Sequence, residues 1–268
     1  MADRLAEPVD IRSASAGVAL VTLNLPQLRN AMTTELTAAW TTAMDQIAAD
    51  RSLRAVVVTG AGSSFCSGAD LSWLDQGSLS DNTPDRLRDT MLPFYRAWLA
   101  PRQVPVPVVA AVNGPAVGIG LSLALACDLI LAAESAFFGL AFVNIGLMPD
   151  GGSTLFVPAT VGKARAYQMA MLGERIEAPR ALDWGLINAV HPDDRLMDEA
   201  NTLVAQLAGG PTRSYASTKK ALNKMLYPDM SGQLDLEAEL QHALARSKDF
   251  MEGVGAFIEK REAQFTGT

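Results

Sequence analysis

Apolar and polar residues alternate along "VDIRSAS" and again along "VALVTLNL", with "AG" between the two runs. Period-two alternation on both sides of a two-residue break predicts a β-hairpin. From residue 33 to 49 the period changes. Leu36, Trp40, Met44 and Ile47 share one helical face there, and Thr33 or Thr34 stands where an N-cap is expected. "RAVVVTG" (54–60) is a continuous β-branched run, the mark of a central strand in a parallel sheet. A glycine- and serine-rich loop, "AGSSFCSGAD", follows it. Residues 85–100 carry a helical pattern with a break expected near Pro93. "VPVVAAVNG" predicts a second buried strand, "PAVGIGLSLALAC" a helix with glycine in its first turns, "DLILAA" a third strand and "SAFFGL" a fourth. Four further helical patterns fill 162–265.

Strand–loop–helix units of similar size succeed one another without a fixed-period repeat or a shift of composition. The fold class is therefore α/β, with a helical C-terminal third as a cap or assembly element. The 49% hydrophobic content and mean hydropathy of +0.14 supply a large core and argue against disorder. Against 22 Lys and Arg stand 29 Asp and Glu, a net charge of −7. No basic stripe is available for nucleic acid, although local basic clusters can still hold a small anionic ligand. The two cysteines, Cys66 and Cys127, read as reduced thiols, and "MADRLAEPVD" has no apolar signal core, so a cytoplasmic protein is expected. The apolar stretch 111–133 is broken by Asn113, Gly114, Pro115, Ser122 and Asp128, which fits a buried helix and strand rather than a membrane span.

His191 and His242 are the only histidines, and neither has Cys, Asp or Glu at ligand spacing, so no metal site is expected. No G-x-S-x-G elbow appears for a Ser–His–Asp triad. "TGAG" and "GPAVGIG" both miss the G-x-G-x-x-G spacing of a dinucleotide site. Two loops remain, "SGADL" (67–71) and "NGPAVGIGL" (113–121), each after a buried strand. Both set glycine beside a helix start, where free N–H groups point outward. Two such donors converging on one point make an oxyanion hole. Taken singly, each loop is also ordinary turn chemistry. Asp150 in "GLMPDGGST" is the other candidate, read either as a helix N-cap or as an acid/base.

Together, "LRNAM", "FCSGADL", "AAVNGPAVGIGLSLALACDLILAA", "FGLAFVNIGLMPDGGST" and "EGVGAFIEKREAQF" resemble the crotonase superfamily, the enoyl-CoA hydratase/isomerase family, in order and over nearly the whole chain. The resemblance implies a crotonase-like spiral of ββα units over 1–200, a helical trimerisation or cap region over 201–268, and assembly as a trimer or hexamer. It implies an acyl-CoA thioester as partner, with coenzyme A as part of the substrate and no other cofactor. It assigns the oxyanion donors to the N–H groups of Ala69 and Ile119, with Gly68, Asp70, Leu71 and Gly118 in the same loops. Leu28, Arg29 and Ala31 stand where relatives contact coenzyme A, and Lys260 with Arg261 where its phosphates can be met. Cys66 reads as a packing residue.

Where hydratases of the family carry two glutamates, this chain has Ser122 and Phe142. Asp150 matches the "P-[DE]-G" site where enoyl-CoA isomerases hold their acid/base, in a pocket expected to be lined by Phe142 and Met148. The reading is an enoyl-CoA isomerase. The alternatives are a hydratase, another acyl-CoA lyase or hydrolase, and an acyl-CoA-binding homologue without turnover.

Overall fold

The computed structural model describes residues 7–70 and 84–268, the side chains of 84–88 excepted. The first strands, β1 (Val9–Ser15) and β2 (Val18–Leu23), form the expected antiparallel hairpin. A six-stranded sheet then runs in the order β1-β2-β3-β4-β6-β9, with β3 at Ala55–Gly60, β4 at Val108–Val112, β6 at Leu129–Ala133 and β9 at Ala189–His191. From β2 to β9 every pairing is parallel. Every residue of β3 and β4 is buried, which is why those runs show no alternation. β1 is the edge and lies exposed beyond Asp10.

Each turn of the chain also leaves the large sheet and pairs briefly with the turn before it. Met32 bridges Ala69, Cys66 bridges Ala116, and β5 (Ala116–Val117) pairs with β7 (Phe137–Gly139), which pairs with β8 (Ile176–Glu177). "SAFFGL" thus supplies a three-residue strand to this second layer, not a strand of the main sheet.

Helix α1 (Thr34–Ala49) starts at Thr33, whose hydroxyl accepts the Leu36 N–H at 3.1 Å, and it buries Leu36, Trp40, Met44 and Ile47. Helix α2 (Pro84–Trp98) locks against it. Trp98 stacks on Trp40 with centroids 5.1 Å apart, and each indole N–H donates to the opposite helix. Pro93 does not break α2. It is exposed, so the carbonyl a turn earlier that loses its N–H partner lies toward solvent, where the loss is smallest. Helices α3 (Ile119–Leu125) and α4 (Ser153–Val161) follow.

Among the described residues, six helices occupy 162–265 where four were expected: α5 (Lys163–Leu172), α6 (Ala178–Asp183), α7 (Leu196–Ala208), α8 (Thr212–Leu226), α9 (Met230–Leu244) and α10 (Lys248–Glu259). The six-residue α6 is too short to show a period. α7 covers β3, β4 and β6, α9 lies along α2, and α10 packs on the 3-10 turn Phe142–Ile145.

Candidate active site

The second layer sets the site. Cys66 and Ala116 are partners on adjacent turns, so the residue three positions past each, Ala69 and Ile119, emerges at the same level. Ile119 opens α3, where an N–H has no acceptor within its own helix. At the other loop it is the Gly68 carbonyl that is engaged, by the Met32 N–H at 2.8 Å. Among the described residues, no backbone hydrogen bond takes the N–H of Ala69 or of Ile119. Gly68 has φ +95°, and a Cβ there would stand 2.8 Å from the Val117 carbonyl oxygen and 3.8 Å from the Ile119 nitrogen. Only glycine lets the loops approach this closely. Asn30 pins the first loop from behind. It is fully buried, accepts the Leu25 N–H at 2.9 Å and donates to the carbonyls of Ala61, Ser64 and Phe65.

Both loops line a cavity of about 280 Å³. Its walls are apolar and aromatic, among them Phe94, Leu140, Phe142, Phe250 and Phe257, and Asp150 opens into it. The "DGG" turn lies against α3, since a Cβ on Gly151 would come within 2.5 Å of the Ile119 side chain.

Asp150 is not the N-cap of α4. Gly152 holds that position and the Asp150 side chain makes no cap bond. A remote carboxylate does the capping: Glu237 of α9 accepts the N–H groups of Gly152 at 2.7 Å and Thr154 at 3.2 Å, and the Thr154 hydroxyl as well. This frees the Asp150 carboxylate, which takes the Tyr95 hydroxyl at 2.8 Å and the Gln241 amide at 2.7 Å. Burial, and next the negative charge of Glu237, push the Asp150 carboxyl up to about 7, against the pull of those two donors. Glu237 is itself raised by burial, and burial together with the Asp150 charge raises Tyr95, which stays a neutral donor. An acid near pH 7 that opens on an apolar cavity suits proton transfer in both directions.

The structure gathers Gly68, Ala69, Gly118, Ile119, Phe142 and Asp150 around one cavity. Ala31, Leu28 and Arg29 do not line it. Their segment borders the first loop by backbone, with the Ser67 N–H on the Arg29 carbonyl at 3.1 Å, while the Leu28 and Arg29 side chains are exposed. Asp70 faces a groove between α1 and α2 instead, and Leu71 lies outside the described residues. Lys260 is exposed at the C-terminal end of α10, away from the cavity lining. Arg261 is held by Glu252 at 2.5 Å and Glu259 at 2.6 Å, so its charge is already matched. Leu147, not Met148, reaches the cavity, because the Met148 backbone is clamped by the Gln241 amide. Ser122 is buried outside the lining. Cys66 is fully buried and its thiol is pushed up to about 12 by burial, as befits a packing residue.

Tyr95, Glu237 and Gln241 had no motif to announce them. The signal that did exist is the buried face of α9 that carries Leu234 and Ala238 and runs on to its C-cap Ala245, where two polar residues four apart are embedded among buried neighbours.

Two glycine loops, with N–H groups that no backbone hydrogen bond takes among the described residues, and one buried carboxylate thus line a single apolar cavity, an arrangement suited to an enzyme reaction that passes through an oxyanion. The family model described as enoyl-CoA hydratase/isomerase matches residues 13–268, and the chain belongs to that family, within the crotonase superfamily. It is 43% identical to a "Probable enoyl-CoA hydratase" of Rhodobacter capsulatus over 94% of this chain and 96% of the relative. It is 39% identical to the "1,2-epoxyphenylacetyl-CoA isomerase" of Escherichia coli over 94% and 95% of the two chains. The crystal structure of an enoyl-CoA hydratase from Mycobacterium avium subsp. paratuberculosis superposes with a TM-score of 0.85 and 40% identity, covering 97% of this chain and 98% of that one.

Proposed function

We propose that the protein moves a double bond in an enoyl-CoA with an apolar acyl group, from the 3,4 to the conjugated 2,3 position, with Asp150 as the acid/base. The observation that carries this is the isolation of Asp150. Among the described residues lining the cavity it is the one carboxylate, while the positions of the two hydratase glutamates read Ser122, off the cavity, and Phe142, in its wall.

The thioester carbonyl oxygen sits between the N–H groups of Ala69 and Ile119. As Asp150 takes a proton from C2, negative charge gathers on that oxygen and the two fixed donors stabilise it; losing one such donor typically costs about 10²–10³ in rate. The enolate electrons re-form as a 2,3 double bond while Asp150 returns the proton at C4, so no net proton is consumed. Coenzyme A enters as part of the substrate, and the step needs no other cofactor. The apolar walls favour an uncharged acyl group.

Hydration is the second reading, favoured by the name of the relative at 43% identity. A panel of 3-enoyl-CoA and 2-enoyl-CoA substrates separates the two. The proposal expects isomerisation of the 3-enoyl esters with negligible hydration of crotonyl-CoA, and comparable rates for both would overturn it.

Exposed apolar side chains on the C-terminal helices, such as Met225, Met251 and Ile258, support self-assembly as a trimer or hexamer. Among the described residues no helix is long and apolar enough to cross a membrane. The two free, buried thiols, Cys66 and Cys127, support a cytoplasmic location.

A further inference from the structure

The two donors to Asp150 reach the same atom. Tyr95 gives its hydroxyl hydrogen to Oδ2 from α2, and Gln241 gives an amide hydrogen to Oδ2 from α9. Among the described residues nothing bonds Oδ1, and it is not one of the buried atoms left without a partner, so it opens on the cavity. We propose that Tyr95 and Gln241 are positioning residues that, by holding Oδ2 together, reserve Oδ1 as the single oxygen that takes the proton from C2 and returns it at C4. The inference rests on Asp150 being the acid/base.

Both donors are held toward Oδ2, and the other acceptor near the Tyr95 hydroxyl, the Met91 sulfur at 3.9 Å, is a weak one. The Gln241 amide is oriented by its own neighbour: its Oε1 accepts the Met148 N–H at 3.3 Å and its Nε2 donates to the Met148 carbonyl at 3.0 Å. A flipped amide would put like against like at both contacts and set an oxygen against the carboxylate. Tyr95 is 1% exposed on α2, which the Trp40–Trp98 stack fixes against α1. With two hydrogens already aimed at Oδ2, a proton placed there would meet both of them, so the acid form carries its proton on Oδ1, facing substrate. The transferred proton then has one seat and stays on one face of the acyl chain.

Among the described residues, the charged group that faces Asp150 is Glu237, from α9, whose carboxylate is occupied by Gly152 and Thr154. Tyr95 and Gln241 oppose its influence, since both hydrogen bonds favour the ionised carboxyl. Removing either donor therefore has a signature that a packing defect lacks: the acidic limb of the pH–rate profile moves to higher pH.

The test compares Tyr95→Phe, Gln241→Met and Asp150→Asn with the wild-type chain in 3-enoyl-CoA isomerisation across pH, with a thermal melt of each. The expected result for Tyr95→Phe and Gln241→Met is a loss of about 10- to 100-fold in kcat, the scale of a hydrogen bond to a charged group, with KM little changed and the acidic limb shifted upward. Wild-type kcat and an unmoved limb in both, while Asp150→Asn is inactive, would overturn the inference and leave the acid/base intact. A lower kcat with an unmoved limb also counts against it, as the mark of a purely structural role. Activity retained in Asp150→Asn defeats the underlying reading instead. Tyr95→Phe keeps the ring and Gln241→Met the length, so if one melts early the other still decides.

Discussion

Replacing Asp150 with Asn should make the protein more stable above neutral pH. Asn fits because both donors reach one oxygen: its carbonyl takes the place of Oδ2, and Tyr95 and Gln241 keep their hydrogen bonds. What disappears is a charge in a buried site. The folded carboxyl titrates at about 7 against an ordinary 3.8, chiefly through burial and then through Glu237. Between those values the native state holds a proton that the unfolded chain has released. Wild-type stability therefore falls as pH rises from about 4 to about 7 and stays lower beyond it. Three units at 1.36 kcal/mol each give a cost of up to about 4 kcal/mol. Asparagine carries none of it. Thermal melts of both proteins at pH 5 and pH 8.5 measure the difference. The gain should be largest at pH 8.5, several degrees in Tm at about 2–4 °C per kcal/mol, and should shrink toward pH 4. A variant that is less stable than wild type at pH 8.5, or a difference that ignores pH, would refute the reasoning.

Other variants probe the neighbours. Glu237→Gln removes the charge that helps to raise Asp150, so the acidic limb of the rate profile should move to lower pH, yet stop short of the ordinary carboxylate range because burial remains. In the same variant an amide NH2 replaces one of the two acceptor oxygens, so either the Gly152 or the Thr154 N–H loses its partner, and stability should drop by about 2 kcal/mol, read as Tm. Asn30→Ala strands a part-buried N–H and three carbonyl contacts behind the first loop; a fall of about 3 kcal/mol in a denaturant melt is expected, with a higher KM. Ala69→Pro deletes an N–H that no backbone hydrogen bond among the described residues uses, so isomerisation should vanish while the melt changes little.

Features that depend on neighbours in sequence were legible in advance. The periods of α1, the unbroken apolar runs of β3 and β4, and the glycines of the two loops each state a local requirement, and the structure meets it. Pro93 misled because one part of a proline's cost in a helix, the freed carbonyl, shrinks where that carbonyl reaches water, and exposure is a tertiary property. Asp150 stood open between two readings, and only the structure removes one of them. Before a glycine pair it has the local form of an N-cap, but Glu237, 85 residues downstream of Gly152, takes the orphan N–H groups. Tyr95 and Gln241 lie 55 and 91 residues from the carboxylate they hold. Contacts of that range leave only a faint trace in one sequence, here a Glu and a Gln on an otherwise buried face of α9.

The central claim is that Asp150 moves the proton. The direct measurement is exchange of the substrate C2 hydrogen with solvent deuterium, followed by mass spectrometry alongside 3-enoyl-CoA isomerisation, in wild type and in folded Asp150→Asn. The account predicts exchange and isomerisation together in wild type and a fall of both by about 10²–10⁴ in the variant, the scale of a positioned acid/base. Exchange at the wild-type rate in Asp150→Asn would contradict it.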